Sequence, residues 1–320
     1  MKKIFREQGF HPARQKILLR NRKDREGTNW INKVANFIRA KFSNSNVYHY
    51  KIKYPDSIWS KTFENFSKQI TAEEIKQIAG VEIPEKNMNG EKSCHFLSAE
   101  SCWDCASFLC SADTTKEIEL DLVSAFEKYF KKDFLHYLNK DASREKSLWQ
   151  KGEKIICIHL RLEDVRKKRF KHEAIISDCK NIEQYIETPD KTFSGKRPIS
   201  QVPSKPEYIK KLIANLESSY PLHKICIITA PQSKNLAKEQ FPEYRVEVPD
   251  KDGAIWSMIN ADVLVLSRSK FSAMAGFLHQ GSRVFYPPWG DYSAMGLGGK
   301  FDKTKNWTIA RTGQAETDFI

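Results

Sequence analysis

Five short apolar runs rich in β-branched residues, separated by stretches of other periodicity, constrain the fold of this chain more than any other feature. They are KIICIHL (154–160), KICIITA (224–230), YRVEV (244–248), ADVLVLS (261–267) and RVFYP (283–287). Runs of this length with little polar alternation suit strands buried on both faces, and helical segments between them suit the crossovers of a parallel sheet. The segment from Pro206 to Leu216 has that helical pattern. The second half is therefore expected to be an α/β unit with a parallel sheet.

The first half carries a similar but sparser pattern. KILLR (16–20) reads as a buried strand, NRKDREGTN (21–29) as a loop, and VYHYKI (47–52) as a second strand. From Trp30 to Phe42, the residues Ile31, Val34, Ala35, Ile38 and Phe42 recur at three- and four-residue steps, which predicts one helix with Asn29 near its N-terminus. Ile118 to Leu138 reads as a single long amphipathic helix, followed by the polar NKDASREK. A length of 320 residues suits two cores, so the chain is divided into an N-terminal domain, 1–150, and a C-terminal domain, 151–320.

Composition narrows the partners. The net charge of +13 favours anions such as phosphates, nucleic acid or an acidic membrane surface, while 40% hydrophobic residues and seven Trp argue against a basic disordered tail. The N-terminal residues MKKIFREQGFHPARQK carry cations without an apolar stretch, so a cytoplasmic protein is expected, with at most peripheral contact with an anionic membrane. Seven Cys, an odd number, suit free thiols in a reducing compartment. Cys94, Cys102, Cys105 and Cys110 cluster beside His95; the two-residue gap between Cys102 and Cys105 permits zinc, but no second knuckle of matching spacing accompanies it, so spare thiols are favoured.

Two motifs carry chemistry. In IICIHLRLEDVRKKR an apolar strand ends at His159 and Arg161 and continues to Asp164. The C-terminal end of a parallel strand faces the crevice where open α/β sheets bind ligands, and an Arg there can grip a phosphate with two hydrogen bonds. On spacing alone, His159 is equally a satisfied core residue and Arg161 a salt-bridge partner. In ADVLVLSRSKFSAMAGFLHQG a strand passes through Ser267, Arg268, Ser269 and Lys270 into a helix beginning at Phe271 or Ser272. Unpaired N–H groups and the positive end of the dipole make such a terminus receptive to phosphate, although an ordinary Ser N-cap has the same sequence.

The two motifs in this order resemble the fucosyltransferase superfamily of α-1,2-, α-1,6- and protein O-fucosyltransferases. His159, Arg161 and Asp164 match its HxRxxD motif, and Ser269, Lys270, Phe271 and Ser272 resemble its Ser-Ser-Phe-Ser element. The resemblance runs mainly from Ile155 to Tyr286; Gly27, Thr28 and Asn29 add a likeness to the family's N-terminal Gly-rich turn. It implies a GT-B fold, with two Rossmann-like domains facing a cleft, and an inverting glycosyltransferase that uses GDP-fucose. It further implies that Arg161 and the Ser269 segment hold the β-phosphate, that His159 lies beside the nucleotide, and that Asp252, with Asp250 as rival, reads guanine. The chain departs from the family pattern at Leu162, where many members have a second Arg, and at Lys270, where they have Ser.

Asp250-Lys251-Asp252 has the DxD form of a metal-chelating motif, but it comes late in the chain, between a strand and a helix. No metal or other cofactor is therefore expected. Asp24 and Glu26, on the N-terminal loop, are the candidate bases for an acceptor hydroxyl, ahead of Glu163. The acceptor is expected to be a glycan or another hydroxyl compound, with Trp289 and Tyr292 available to line a groove. Two other classes compete: a catalytically silent nucleotide- or glycan-binding relative, and a nucleic-acid-binding protein using Arg166, Lys167, Lys168 and Arg169, against which the absence of a nucleic-acid module argues.

Overall fold

The computed structural model describes residues 16–19, 26–43, 46–50, 59, 62–71, 74, 94–96, 122–139, 146–162, 206–287 and 306–310. The chain divides into two units, Met1–Asp141 with Ala294–Lys303, and Ala142–Ser293 with Thr304–Ile320. Both are α/β.

In the N-terminal unit, strand β1 (Lys16–Leu19) leads to helix α1 (Glu26–Ser43), followed by β2 (Asn46–Tyr50), a 3-10 turn at Thr62–Phe66, β3 (Lys68–Ile70), β4 (Cys94–Phe96) and helices α2 (Leu122–Tyr129) and α3 (Lys131–Leu138). The sheet order is β3-β2-β1-β4, with the first three strands parallel and β4 antiparallel to β1. The apolar stripe of α1 is buried as its periodicity requires, through Trp30, Ile31, Val34, Ala35 and Ile38. An aromatic core surrounds it: Trp30 meets Phe126 and Phe134 edge-on at 5.3 and 5.4 Å, and Phe37 stacks on Phe63 at 5.3 Å. Each such pair adds roughly 0.5–1.5 kcal/mol beyond the burial of its area.

Two expectations are corrected here. Helix α1 begins at Glu26, so Glu26 and Asn29 lie in its first turns and not in a loop. An acidic first residue suits the positive end of the helix, and Gly27 is small enough to be buried there. The helix expected over 118–138 is broken at Phe130, where φ is −134° and ψ −30°. The break turns the Phe130 ring edge-on to Phe37 at 6.0 Å and to Phe66 at 6.2 Å, so that the chain joins the aromatic core on both sides of the corner. Residues 118–121 lie outside the described residues.

The C-terminal unit runs β5 (Ile155–Leu160), α4 (Pro206–Ser219), β6 (Lys224–Thr229), α5 (Lys234–Gln240), β7 (Arg245–Glu247), α6 (Lys251–Asn260), β8 (Val263–Val265), α7 (Lys270–Leu278), β9 (Arg283–Tyr286) and β10 (Trp307–Ile309). All its strand pairs are parallel, in the order β10-β9-β8-β5-β6-β7. Counting from β5 as first, this is the 3-2-1-4-5-6 order of a doubly wound Rossmann sheet, whose switch point lies between the first and fourth strands. Here those strands are β5 and β8.

Pleating divides β5 between two layers. Ile156, Ile158, Leu160 and Leu162 pack with Ile209, Leu212 and Leu216 of α4 and with Ala237 of α5. The alternate residues Cys157 and His159, also buried, occupy the other face, the side on which right-handed crossovers place α6 and α7. Helix α6 is buried all round from Gly253 to Asn260, as a helix between a sheet and further chain must be. One face of it receives the segment before β5, where Leu148 N donates to Ser257 Oγ at 2.8 Å.

Candidate functional site

Parallel strands end on one edge of their sheet, and each following helix begins there. At the switch point that edge carries His159 and Arg161 from β5 and, from the turn after β8, Ser267, Arg268 and Ser269. Residues 108 positions apart in sequence meet: His159 Nδ1 lies 2.7 Å from Ser267 Oγ, a buried contact whose donor depends on the imidazole tautomer. Ser267 Oγ lies 3.4 Å from Ser272 Oγ, and Ser272 Oγ donates to the Ser269 carbonyl at 3.0 Å. The Phe271 ring tilts against the His159 ring, with centroids 5.8 Å apart. The imidazole is thus held on one side by a hydroxyl network and on another by an aromatic face.

Ser269 is the N-cap of α7, its Oγ accepting from Phe271 N at 3.2 Å. A capping serine uses a lone pair and keeps its proton, so the same hydroxyl can still donate to an incoming phosphate oxygen. Lys270, the first residue of the helix, stands against the dipole, and no acidic residue occupies the first turn to offset it. A cation in that position costs about 0.3–1 kcal/mol at an ordinary helix, and an anion bound at the terminus reverses the sign. Arg161 and Arg268, both half-buried, add positive charge to this edge. By the pleat, Arg161 follows His159 on the same side of the strand. The charge of Arg268 reaches the first turn of α4: burial pushes the Tyr208 phenol well up, and Arg268 pulls it back. That phenol donates to the Ala310 carbonyl at 2.6 Å.

Asp250 and Asp252 flank the start of α6, at the same edge of the sheet because β7 ends there. Asp250 is the N-cap, accepting from Gly253 N at 2.7 Å, and Lys146 Nζ reaches its other oxygen at 3.2 Å. Those two contacts, the backbone N–H first, hold its carboxyl below the usual range. Asp252 lies 3.8 Å from the same Lys146 and is the less exposed of the two. Among the described residues, no three His, Cys, Asp or Glu side chains converge as metal ligands would.

The structure therefore brings His159, Arg161, Ser269, Lys270, Phe271 and Ser272 to one edge at the switch point, with Asp252 further along that edge. Glu26 and Asn29 belong to the N-terminal unit, in the first turns of α1. Asp24, Glu163, Asp164, the 166–169 basic run, Trp289 and Tyr292 lie outside the described residues, as do Cys102, Cys105 and Cys110. Cys94 and His95 are strand residues, opposite Leu19 and Leu18. Sequence reasoning placed Ser267 in the turn before the helix but did not foresee it as a partner of His159. The available signal was its place directly after an apolar run, the same place His159 holds in its own. No helix of the described residues is long and apolar enough to cross a membrane.

No protein-family model matches the chain, and no curated protein matches it. Among solved structures, POFUT1 in complex with GDP is similar at 13% identity, covering 85% of this chain and 97% of that one with a TM-score of 0.37. POFUT1 in complex with GDP-fucose is similar at 12% identity, with coverages of 86% and 98% and a TM-score of 0.39. A glycosyl transferase family 9 protein from Veillonella parvula DSM 2008 is similar at 9% identity, with coverages of 92% and 85% and a TM-score of 0.39.

Proposed function

We propose that this chain is an inverting, metal-independent glycosyltransferase of the GT-B type that takes a sugar from a nucleoside diphosphate sugar, GDP-fucose, and delivers it to a hydroxyl of a glycan or related acceptor. The observation that carries the reading is the junction at the switch point, where His159 of β5 joins Ser267 beside the capped, cation-rich start of α7. A diphosphate is the ligand that this chemistry fits. Its charge is met by Arg161, Lys270, the Ser269 hydroxyl and the positive N-terminal end of α7.

In this reading the C-terminal unit holds the donor and the N-terminal unit serves the acceptor. The acceptor oxygen attacks the anomeric carbon as the bond to the β-phosphate breaks, and configuration inverts. Negative charge then grows on the departing GDP, and groups fixed around the diphosphate bind that state more tightly than the ground state. Arg161 is assigned the β-phosphate, His159 the nucleotide flank, and Asp252 the guanine. Asp250 and Asp252 are already engaged with Lys146 and the cap of α6, which supports a role other than metal chelation.

Titration calorimetry with GDP, and with UDP and ADP as controls, tests this in EDTA on the intact chain and on Arg161→Ala. Selective GDP binding is expected, weakened about 10- to 100-fold in the variant, as the loss of a charge-assisted contact of roughly 1.5–3 kcal/mol requires. A preference for UDP, a metal requirement, or no nucleotide binding would overturn the assignment.

A further inference from the structure

At the sheet edge away from the switch point, helices α6 and α7 end on one side chain. His279 is the C-cap of α7, its backbone N–H donating to the Gly276 carbonyl at 3.2 Å, and the residue is only 4% exposed. Nδ1 of its ring lies 3.1 Å from the Met258 carbonyl oxygen, and Nε2 lies 3.3 Å from that of Asp262. A carbonyl oxygen only accepts, so each contact needs an N–H from the ring, and only the imidazolium has two. The Met258 carbonyl has lost its helical donor: the amide four residues on, that of Asp262, donates instead to the Ile155 carbonyl of β5 at 3.1 Å. In a neutral ring, one nitrogen would turn a lone pair toward the lone pair of an oxygen.

Burial by itself favours the neutral ring. Against it stand the two carbonyl contacts and the negative ends of two helices, neither of which has a Lys or Arg in its last turn. A third opposing feature is the Asp262 carboxylate. Burial would raise that carboxyl, but the His223 and Ser282 contacts hold it below the usual range, so the residue whose carbonyl meets His279 is ionised at neutral pH. The other charged or titratable groups around this corner are His223, with Nε2 2.6 Å from Asp262 Oδ2, Lys151, and Arg283. Lys151 Nζ reaches Gln280 Oε1 at 3.2 Å, and Arg283 reaches Thr308 Oγ1 of β10 at 3.3 Å.

We propose that His279 is a buried imidazolium that clamps the C-terminal ends of α6 and α7, and that the clamp loosens when the ring loses its proton. Deprotonation leaves one N–H for two carbonyls, so one of the two contacts must break. A histidine whose charged form is favoured by folding stabilises the protein fully below its unfolded pKa, about 6.5, and that contribution is lost as pH rises through the folded value. The device thus weakens toward alkaline pH. It stands on the C-terminal unit alone and does not depend on the glycosyl-transfer reading.

Nitrogen-15 NMR of the full chain, with the His279 ring assigned through its own backbone, tests the charge. A titration midpoint above 6.5 is expected, with both nitrogens protonated below it; a midpoint at or below 6.5 would overturn the proposal. Hydrogen exchange tests the clamp. After correction for the intrinsic pH dependence, protection of the Ala261, His279 and Gln280 amides should fall about tenfold across the midpoint, as a pKa raised by about one unit requires. Protection that does not change across the midpoint would overturn the clamp. In His279→Gln the step should vanish, and in His223→Gln it should remain. A step lost with His223 and kept with His279→Gln would place the charge on the wrong ring and overturn the assignment. Should His279→Gln fail to fold, the wild-type ring titration and exchange step decide by themselves.

Discussion

At the scale of single residues, the structure separates groups that composition makes equivalent. Asp250 and Asp252 are two carboxylates one residue apart, but the first is spent on capping α6 and the second is not. Asp250→Ala should therefore cost about 1 kcal/mol of stability and leave GDP affinity unchanged, while Asp250→Asn, which can still cap, costs little. Asp252→Ala should weaken GDP with little change in melting temperature. Differential scanning fluorimetry and calorimetry on the three variants check this, and a loss of GDP binding in Asp250→Ala would reverse the two roles. The sequence showed the Asp-x-Asp spacing but could not say which carboxylate was the cap, because that depends on where the helix starts. The same holds for His159. Its type and place at a strand end were legible, whereas its Ser267 partner, 108 residues on, becomes visible only when β5 and β8 are adjacent.

Among the elements, the edge of the C-terminal sheet opposite the switch-point site is fastened by side chains. His223, just before β6, and Asp262, just before β8, meet at 2.6 Å, and Ser282 N approaches the other Asp262 oxygen at 3.3 Å. Burial alone would raise the Asp262 carboxyl, but the His223 and Ser282 contacts outweigh it and hold the pKa below the usual value. A carboxylate with a depressed folded pKa stabilises the fold above its unfolded pKa, near 3.9, and loses that contribution as pH falls through the folded value. Asp262→Asn should thus be less stable than wild type by about 1–3 kcal/mol at pH 7, with the gap closing below pH 4, as urea melts across pH would show. Nearby, a Cβ on Gly281 would lie 2.2 Å from the Ala261 and Asp262 carbonyl oxygens. Backbone at that distance cannot yield cheaply, so Gly281→Ala should cost about 1–3 kcal/mol in the same measurement. The main strands and helices of this unit were readable from their apolar runs. Strand β10 was not, since three residues after a Lys- and Gly-rich stretch show no periodicity, and Trp307 is drawn in by the rings of Phe277 and Tyr286.

For the whole molecule, sequence alternation implied a parallel α/β unit but not its strand order. That β5 lies between β6 and β8 depends on the β7-to-β8 crossover passing to the other face, where α6 is buried all round. This crossover creates the switch point and sets the edge proposed to receive the nucleotide within a chain of net charge +13. If the positive charge serves diphosphate binding, affinity must respond to screening. The Debye length falls from about 10 Å at 0.1 M salt to about 3 Å at 1 M, so attraction from charges beyond direct contact is lost while hydrogen bonds within the site persist. GDP affinity should fall several-fold between about 0.05 and 0.5 M NaCl, and guanosine, which lacks the phosphates, should show almost no change. Arg161→Ala should flatten the GDP slope as well as lower the affinity, since it removes one of the charges being screened. A GDP affinity indifferent to salt would mean that the cations on this edge are held for other contacts, and that the specificity of the site comes from the base and sugar.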